Sequence, residues 1–214
     1  MQRQEHLQRL KEEQFDILVI GGGITGACIV HDATLRGFSA ALIERRDFGG
    51  FTSSASSKLL HGGIRYLPKG QVRKVRESGR EQMIFQQLAP HLVRWKPFLI
   101  PTEHGLTLTK GAWALKIAMR IYKLCHFGLE KLLDNPAGKP PQGPFLDVEA
   151  ALAAAPQLNS IERLSGAQIL FESHLHSSER MTLAFLKTAV SNGAAIANYL
   201  EAEQYLISEG RIEG

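Results

Sequence analysis

The succession of apolar and polar positions divides this chain into short strand-like runs and longer helical stretches. Residues 15–20, FDILVI, form an apolar run of strand formers that stops at Gly21, the pattern of a buried parallel strand. Residues 24–36 have helical spacing and stop at Gly37, a residue suited to a helix C-terminus. Residues 39–44, SAALIE, read as a second strand, so strand, helix and strand fall within about thirty residues and predict a βαβ crossover.

Farther along, residues 71–88 read as a charged amphipathic helix closed by Pro90. Residues 96–108 look extended, with Pro97 and Pro101 arguing for a sheet edge. The longest helical stretch is 112–133; NPAGKPPQGP at 135–144 is a surface loop, and Asp147 caps a short alanine-rich helix that ends near Pro156. A strand at 167–171, a helix at 178–192 capped by Gly193, a strand at 194–199 and a hairpin at 202–212 turning at Glu209 and Gly210 complete the pattern. The expected organisation is a charged tail (1–14), an α/β domain (15–80 with 178–214) and an inserted α+β segment (81–177).

With 44% hydrophobic residues among 214, the chain can bury a substantial core. Its net charge of +4 is spread along the sequence without a basic stripe, which argues against nucleic acid and leaves anionic small molecules or an anionic membrane surface as partners. Cys28 and Cys125 lie far apart and outside any metal-ligand spacing, as expected of unpaired thiols in a reducing compartment. His174 and His176 would share a strand face without a third ligand, and no metal is expected. The first residues lack the apolar core of a secretory signal, and no stretch approaches the roughly 20 apolar residues that span a bilayer. The expectation is a cytoplasmic protein whose membrane contact, if any, is peripheral; the basic residues Arg73, Lys74, Arg76 and Arg80 offer one such face, with a solvated helix as the plainer reading.

The chemistry concentrates in two motifs. GGGITG sets Gly21, Gly23 and Gly26 in GxGxxG spacing between the first strand and the first helix. Gly21 suits the tight turn, Gly23 a close approach to a pyrophosphate, and Gly26 close packing of helix on strand. Glu44, eighteen residues past Gly26 at the end of the second strand, suits ribose hydroxyls and disfavours a 2′-phosphate, leaving NAD and FAD. The second motif is TSSASSKLLHGGIRYL, residues 52–67. Its hydroxyls and glycine amides form a donor-rich surface suited to phosphate, and the apolar residues that follow require burial, which argues against a mere serine linker. A second donor-rich loop soon after the ribose carboxylate favours a flavin dinucleotide.

FDILVIGGGITGA followed by SSASSKLLHGGIRYL resembles the N-terminal part of the FAD-dependent glycerol-3-phosphate dehydrogenases, within the amino-acid-oxidase-like flavoproteins. The resemblance runs through LAPHL, the DVEAAL helix and GAQILFES, and weakens after Ser173. It implies a Rossmann-like FAD-binding βαβ domain, C-terminally incomplete, with an inserted substrate segment. It further implies that Thr52, Ser53, Ser56, Ser57 and Lys58 lie along the flavin, that His61, Gly62 and Gly63 pass close to its ring, and that Arg65 and Tyr66 face the substrate. Arg65 can bind phosphate bidentately and Tyr66 can hydrogen-bond a substrate hydroxyl. The competing structural readings are a surface ion pair for Arg65, a core aromatic for Tyr66 and a satisfied buried histidine for His61.

The reaction implied is oxidation of glycerol 3-phosphate to dihydroxyacetone phosphate with electrons passed to quinone at the inner face of the cell membrane. The alternatives are a non-catalytic dinucleotide-binding piece, or an oxidase of amines or amino acids. The expected partners are glycerol 3-phosphate and quinone, with a homodimer or a separately encoded C-terminal half, because the chain stops within a sheet pattern. Two departures from the family pattern stand out: Phe51 where a small residue precedes the Thr-Ser-Ser run, and Ser173, Ser177 and Ser178 where aspartates are usual, with Arg180 retained.

Overall fold

Small apolar side chains set how closely helix packs on sheet in a computed structural model of the chain, which describes residues 3–105 and 111–212. In chain order the elements are the helix Arg3–Glu12 (α1), the strand Ile17–Ile20 (β1), the helix Ile24–Leu35 (α2) and the strands Ala40–Glu44 (β2) and Leu59–Leu60 (β3). Helix Val72–Leu88 (α3), strand Val93–Glu103 (β4), helix Ala112–His126 (α4), strand Phe145–Leu146 (β5) and helix Val148–Ala154 (α5) follow. Strand Leu164–Leu175 (β6), helix Ser178–Ser191 (α6) and strands Ala195–Asn198 (β7), Ile207–Ser208 (β8) and Arg211–Ile212 (β9) complete the chain. They group into two compact units, Met1–Ser57 with Ser177–Gly214, and Lys58–His176.

The first unit is a parallel sheet in the order β1-β2-β7, with α2 and α6 packed together over it. Ala27, Ala33, Ala40, Ala189 and Ala194 line the interface and admit the close approach, while Val30, Leu42 and Leu186 fill its centre. Burying each of the latter three stabilises by about 1.5–3 kcal/mol. The run at 15–20 was expected to be buried on both faces. Only Val19 is buried, and Leu18 and Ile20 remain 49% and 48% exposed, because the described residues cover one face of β1.

The charged tail expected at 1–14 is instead helical: α1 packs on β7. Arg3 Nη2 donates to Asn198 O (2.8 Å), Arg9 Nη2 donates to Gly193 O (3.1 Å), and Ile196 N donates to the ring of the buried His6 (3.4 Å). Mixed charges hide this docking in the sequence, since the contacts go to backbone carbonyls and one imidazole.

In the second unit β6 is the spine. It pairs antiparallel with β4 along one side and with β3 and β5 along the other, so β4 is an edge and carries Pro97 and Pro101 as expected. Both β4 and β6 extend beyond the runs 96–108 and 167–171, β4 at its start and β6 at both ends; residues 106–108 lie outside the described residues. The helix predicted to reach residue 133 stops at His126, where Gly128 takes φ 80° and a short 3-10 turn, Leu129–Leu132, follows. Asp147 accepts from Ala150 N at 2.9 Å, as a cap should. Glu209 and Gly210, at φ 48° and 77°, make the expected hairpin turn between β8 and β9.

The insert was drawn at 81–177, whereas the second unit begins at Lys58. The reason is pairing: Leu59 and Leu60 join β6, and α3 packs on β3 and α4, which draws residues 58–80 away from the first unit. Among the described residues no helix is long and apolar enough to cross a membrane.

The docking of α1 should be pH-dependent. Burial, and then Arg9, hold the His6 imidazole below its ordinary value, so the undocked helix takes up a proton first as pH falls through about 6.5, and docking weakens. Hydrogen exchange corrected for intrinsic rates should show amides of 3–12 and 195–198 exposed faster at pH 5.5 than at pH 7.5; equal protection would contradict this.

Candidate functional site

The glycine turn connects β1 to α2 through a backbone that requires glycine at 21 and at 26. Gly21 takes φ 112°, and a Cβ on Gly26 would stand 2.0 Å from the Gly21 carbonyl oxygen. Gly26 therefore lets the first turn of α2 pack directly on the loop. Gly22 is as constrained as its neighbours in the motif, since its Cβ would meet Phe48 Cδ1 at 2.6 Å and Glu44 Cβ at 2.9 Å. Gly23 is the N-cap of α2 in extended conformation and makes no side-chain cap bond.

Glu44 ends β2 buried, with both oxygens engaged: Oε2 accepts from Gly22 N at 2.7 Å and Oε1 from Arg46 N at 2.8 Å. A carboxylate has about four acceptor positions, so hydroxyl donors can still be accommodated beside these two. Ser53 Oγ accepts from Ile24 N at 2.9 Å, supplying from the serine loop the cap that Gly23 lacks. Gly21, Gly23, Gly26, Glu44, Thr52 and Ser53 thus line one cleft of about 380 Å³. An adjoining cleft of about 320 Å³ runs past Glu44, Arg45, Phe51 and Leu200.

Ser56 and Ser57 belong to the same unit but are exposed and do not line these clefts. Phe51 is no liability for the loop: the left-handed residue nearby is Gly49 (φ 70°), and the Phe51 ring lies against the guanidinium groups of Arg45 and Arg46 at 5.3 and 5.0 Å. Ser177, where aspartate is usual, caps α6 by accepting from Arg180 N at 3.1 Å, so that substitution keeps the local bond.

Lys58, His61, Gly62, Gly63, Arg65 and Tyr66 belong to the second unit. Lys58 takes φ 58°, and its carbonyl accepts from Leu175 N at 2.7 Å. Gly62 and Gly63 are required by space: a Cβ would stand 2.0 Å from Tyr122 Oη at the first and 2.9 Å from Val75 Cα at the second, where φ is also 87°. The glycine pair turns the chain into the 3-10 segment Ile64–Lys69. There Arg65 is exposed, and Tyr66 is half-buried beside the cluster of Val75, Met119, Tyr122, Cys125 and Leu170. His61 is exposed; partial burial, then Arg65, hold its imidazole below the ordinary value.

Beneath this segment lie residues that periodicity did not single out. Glu172 and Gln82 are buried against Gly62, and burial pushes the Glu172 carboxyl up despite hydrogen bonds from Gly62 and Gln82. Burial first, then Glu172 and Cys125, push the Tyr122 phenol well above its usual range. The one signal for them was polar identity at helix and strand positions that alternate with apolar core.

Comparison with known proteins fits this geometry. The family described as FAD dependent oxidoreductase matches residues 16–214. The chain belongs to that family of flavoproteins, whose cofactor is FAD. It is 34% identical over 213 residues to an alpha-glycerophosphate oxidase of Streptococcus pneumoniae, covering 99% of this chain and 33% of the relative. It is 34% identical over 206 residues to an aerobic glycerol-3-phosphate dehydrogenase of Staphylococcus aureus, covering 95% and 34%. Among solved structures, the glycerol-3-phosphate dehydrogenase from Bacillus halodurans complexed with FAD matches with a TM-score of 0.67 and 28% identity over 98% of this chain and 31% of that one. The chain thus spans about a third of the length of the curated relatives it matches.

The residues of the first unit fit a dinucleotide: a glycine turn at a helix N-terminus and hydroxyls for the diphosphate, with Glu44 for a ribose. Replacing Gly26 by Ala should destabilise this unit by about 1–3 kcal/mol, as overpacking does, and lower its urea midpoint. A midpoint equal to the parent's would contradict the close approach.

Proposed function

We propose that this chain is part of an FAD-dependent oxidoreductase acting on glycerol 3-phosphate, with Met1–Ser57 and Ser177–Gly214 as its FAD-binding portion and Lys58–His176 as its substrate portion. The observation that carries the reading is the turn at Gly62 and Gly63. Packing dictates both glycines, yet the turn leaves His61 and Arg65 exposed, so their chemistry is not consumed by the fold. Relatives named for glycerophosphate that match nearly the whole chain support the choice of substrate.

In this reading Gly21, Gly23 and Gly26 admit the pyrophosphate, Glu44 accepts from ribose hydroxyls, and Thr52, Ser53, Ser56, Ser57 and Lys58 follow the cofactor toward its ring. Bound FAD would supply the acceptor for the hydride leaving C2 of the substrate. Arg65 offers a planar guanidinium to the substrate phosphate. Tyr66 donates to a substrate hydroxyl, which requires its ring to keep one edge out of the core. His61 is held below its ordinary value, so its imidazole is neutral near pH 7 and can accept the hydroxyl proton as the C2 hydride departs. The product is dihydroxyacetone phosphate.

The relatives' names divide between oxidase and dehydrogenase. We assign quinone as acceptor on the family resemblance, with the enzyme in the cytoplasm and touching the membrane peripherally; oxygen is the competing acceptor, and oxygen uptake against quinone reduction separates them.

The test is anaerobic addition of glycerol 3-phosphate to the flavin-loaded full-length protein. Bleaching of the flavin band is expected, and Arg65→Ala should raise the half-saturating substrate concentration roughly 10- to 150-fold, the loss of a charged hydrogen bond worth about 1.5–3 kcal/mol. Bleaching by an amine or amino acid but not by glycerol 3-phosphate would overturn the assignment.

A further inference from the structure

Two buried polar side chains grip the backbone on either side of His61. Gln82 Nε2 donates to the carbonyl of Leu60 and also to Glu172 Oε2, at 2.7 Å, and the same carboxylate oxygen accepts from Gly62 N at 2.7 Å. The two bonds to backbone therefore fall immediately before and after His61. Gln82 is 2% exposed and Glu172 4%, and Glu172 Oε1 has no hydrogen-bond partner among the described residues.

Stability of the sheet does not account for this arrangement. The long ladder between β4 and β6 is made by backbone groups, and an apolar side chain at 172 would be favoured over a carboxyl in so dry a place. The cost is incurred where the backbone turns, and Tyr122 Oη closes the remaining space over Gly62.

We infer that Glu172 and Gln82 are positioning residues for His61: they fix the peptides that flank it, so the imidazole is presented in one orientation beside Arg65. The inference rests on the proposed role of His61. Arg65 on the following turn, Glu172 on β6, and Tyr122 and His126 on α4 are titratable groups set around this stretch. With the peptides released, the ring moves toward water and away from Arg65, and its titration rises toward the ordinary value.

The experiment is a proton titration of His61, labelled at its ring carbon and assigned with His61→Asn, in the full-length protein and in Glu172→Ala, Glu172→Gln and Gln82→Leu. Glu172→Ala and Gln82→Leu should each raise the His61 midpoint toward its ordinary value and lower kcat for glycerol 3-phosphate about tenfold with little change in KM. Glu172→Gln keeps an acceptor oxygen and should retain the parent midpoint and most of the turnover. An unchanged midpoint in a cooperatively melting Glu172→Ala overturns the inference. Should that variant not fold, an unchanged midpoint in Gln82→Leu does so. A raised midpoint with undiminished kcat would uphold the anchoring and remove His61 from the reaction, which separates this inference from the reading on which it rests.

Discussion

The carboxylate of Glu44 is the constraint on which the first unit depends. One oxygen holds the amide of Gly22 and the other the amide of Arg46, so a single side chain at the end of β2 fixes both the glycine turn and the path leaving the strand. Because the group is buried and acceptor-only, it works only where donors converge on it, and here they are backbone donors. The glycine turn is thereby held with the N-terminus of α2 directed to the cleft, and Ser53 completes that terminus from the loop beyond. Helix N-terminus, turn and hydroxyl loop are joined into one cleft because they share this carboxylate and this cap.

A comparable economy organises the second unit. Its polar centre, Glu172 with Gln82, is spent on backbone beside Gly62, while the long β4–β6 ladder secures the sheet without side-chain help. The two clusters of buried carboxyl and glycine have the same logic: a glycine allows close approach, and a carboxyl then holds its amide. In the second unit this leaves His61 and Arg65 exposed at the surface.

How much of this was legible depended on whether the signal was local. The strand, glycine turn and helix at the start were readable because period, Gly spacing and Glu44 all act within thirty residues, and the family resemblance rested on these together with SSASSKLLHGGIRYL at 53–67. The caps at Asp147 and Gly193 and the turn at Glu209 were likewise local. The α1 docking was not, because Arg3 and Arg9 bond to carbonyls some 190 positions away, and nothing in the helix's own pattern marks that face. The boundary at Lys58 was missed for the same reason: β3 has two residues, too few for a period, and belongs with β6 only through long-range pairing. Glu44 was read as a ribose ligand, and its backbone bonds to Gly22 and Arg46 were invisible until the loop was seen folded. Glu172 and Gln82 carried only their polar identity as a signal, which surface residues of a strand and a charged helix share, and their burial separates them from such residues.

The turn held by Glu44 is the dinucleotide site in the function proposed above, and an equilibrium titration with FAD is the decisive measurement. Followed by flavin fluorescence on the full-length protein, binding is predicted to be saturable in the parent and weakened at least about tenfold in Glu44→Ala, a loss of roughly 1.4 kcal/mol or more, with a lowered but still cooperative melting transition. Equal FAD affinity in the parent and in a folded Glu44→Ala would contradict the claim.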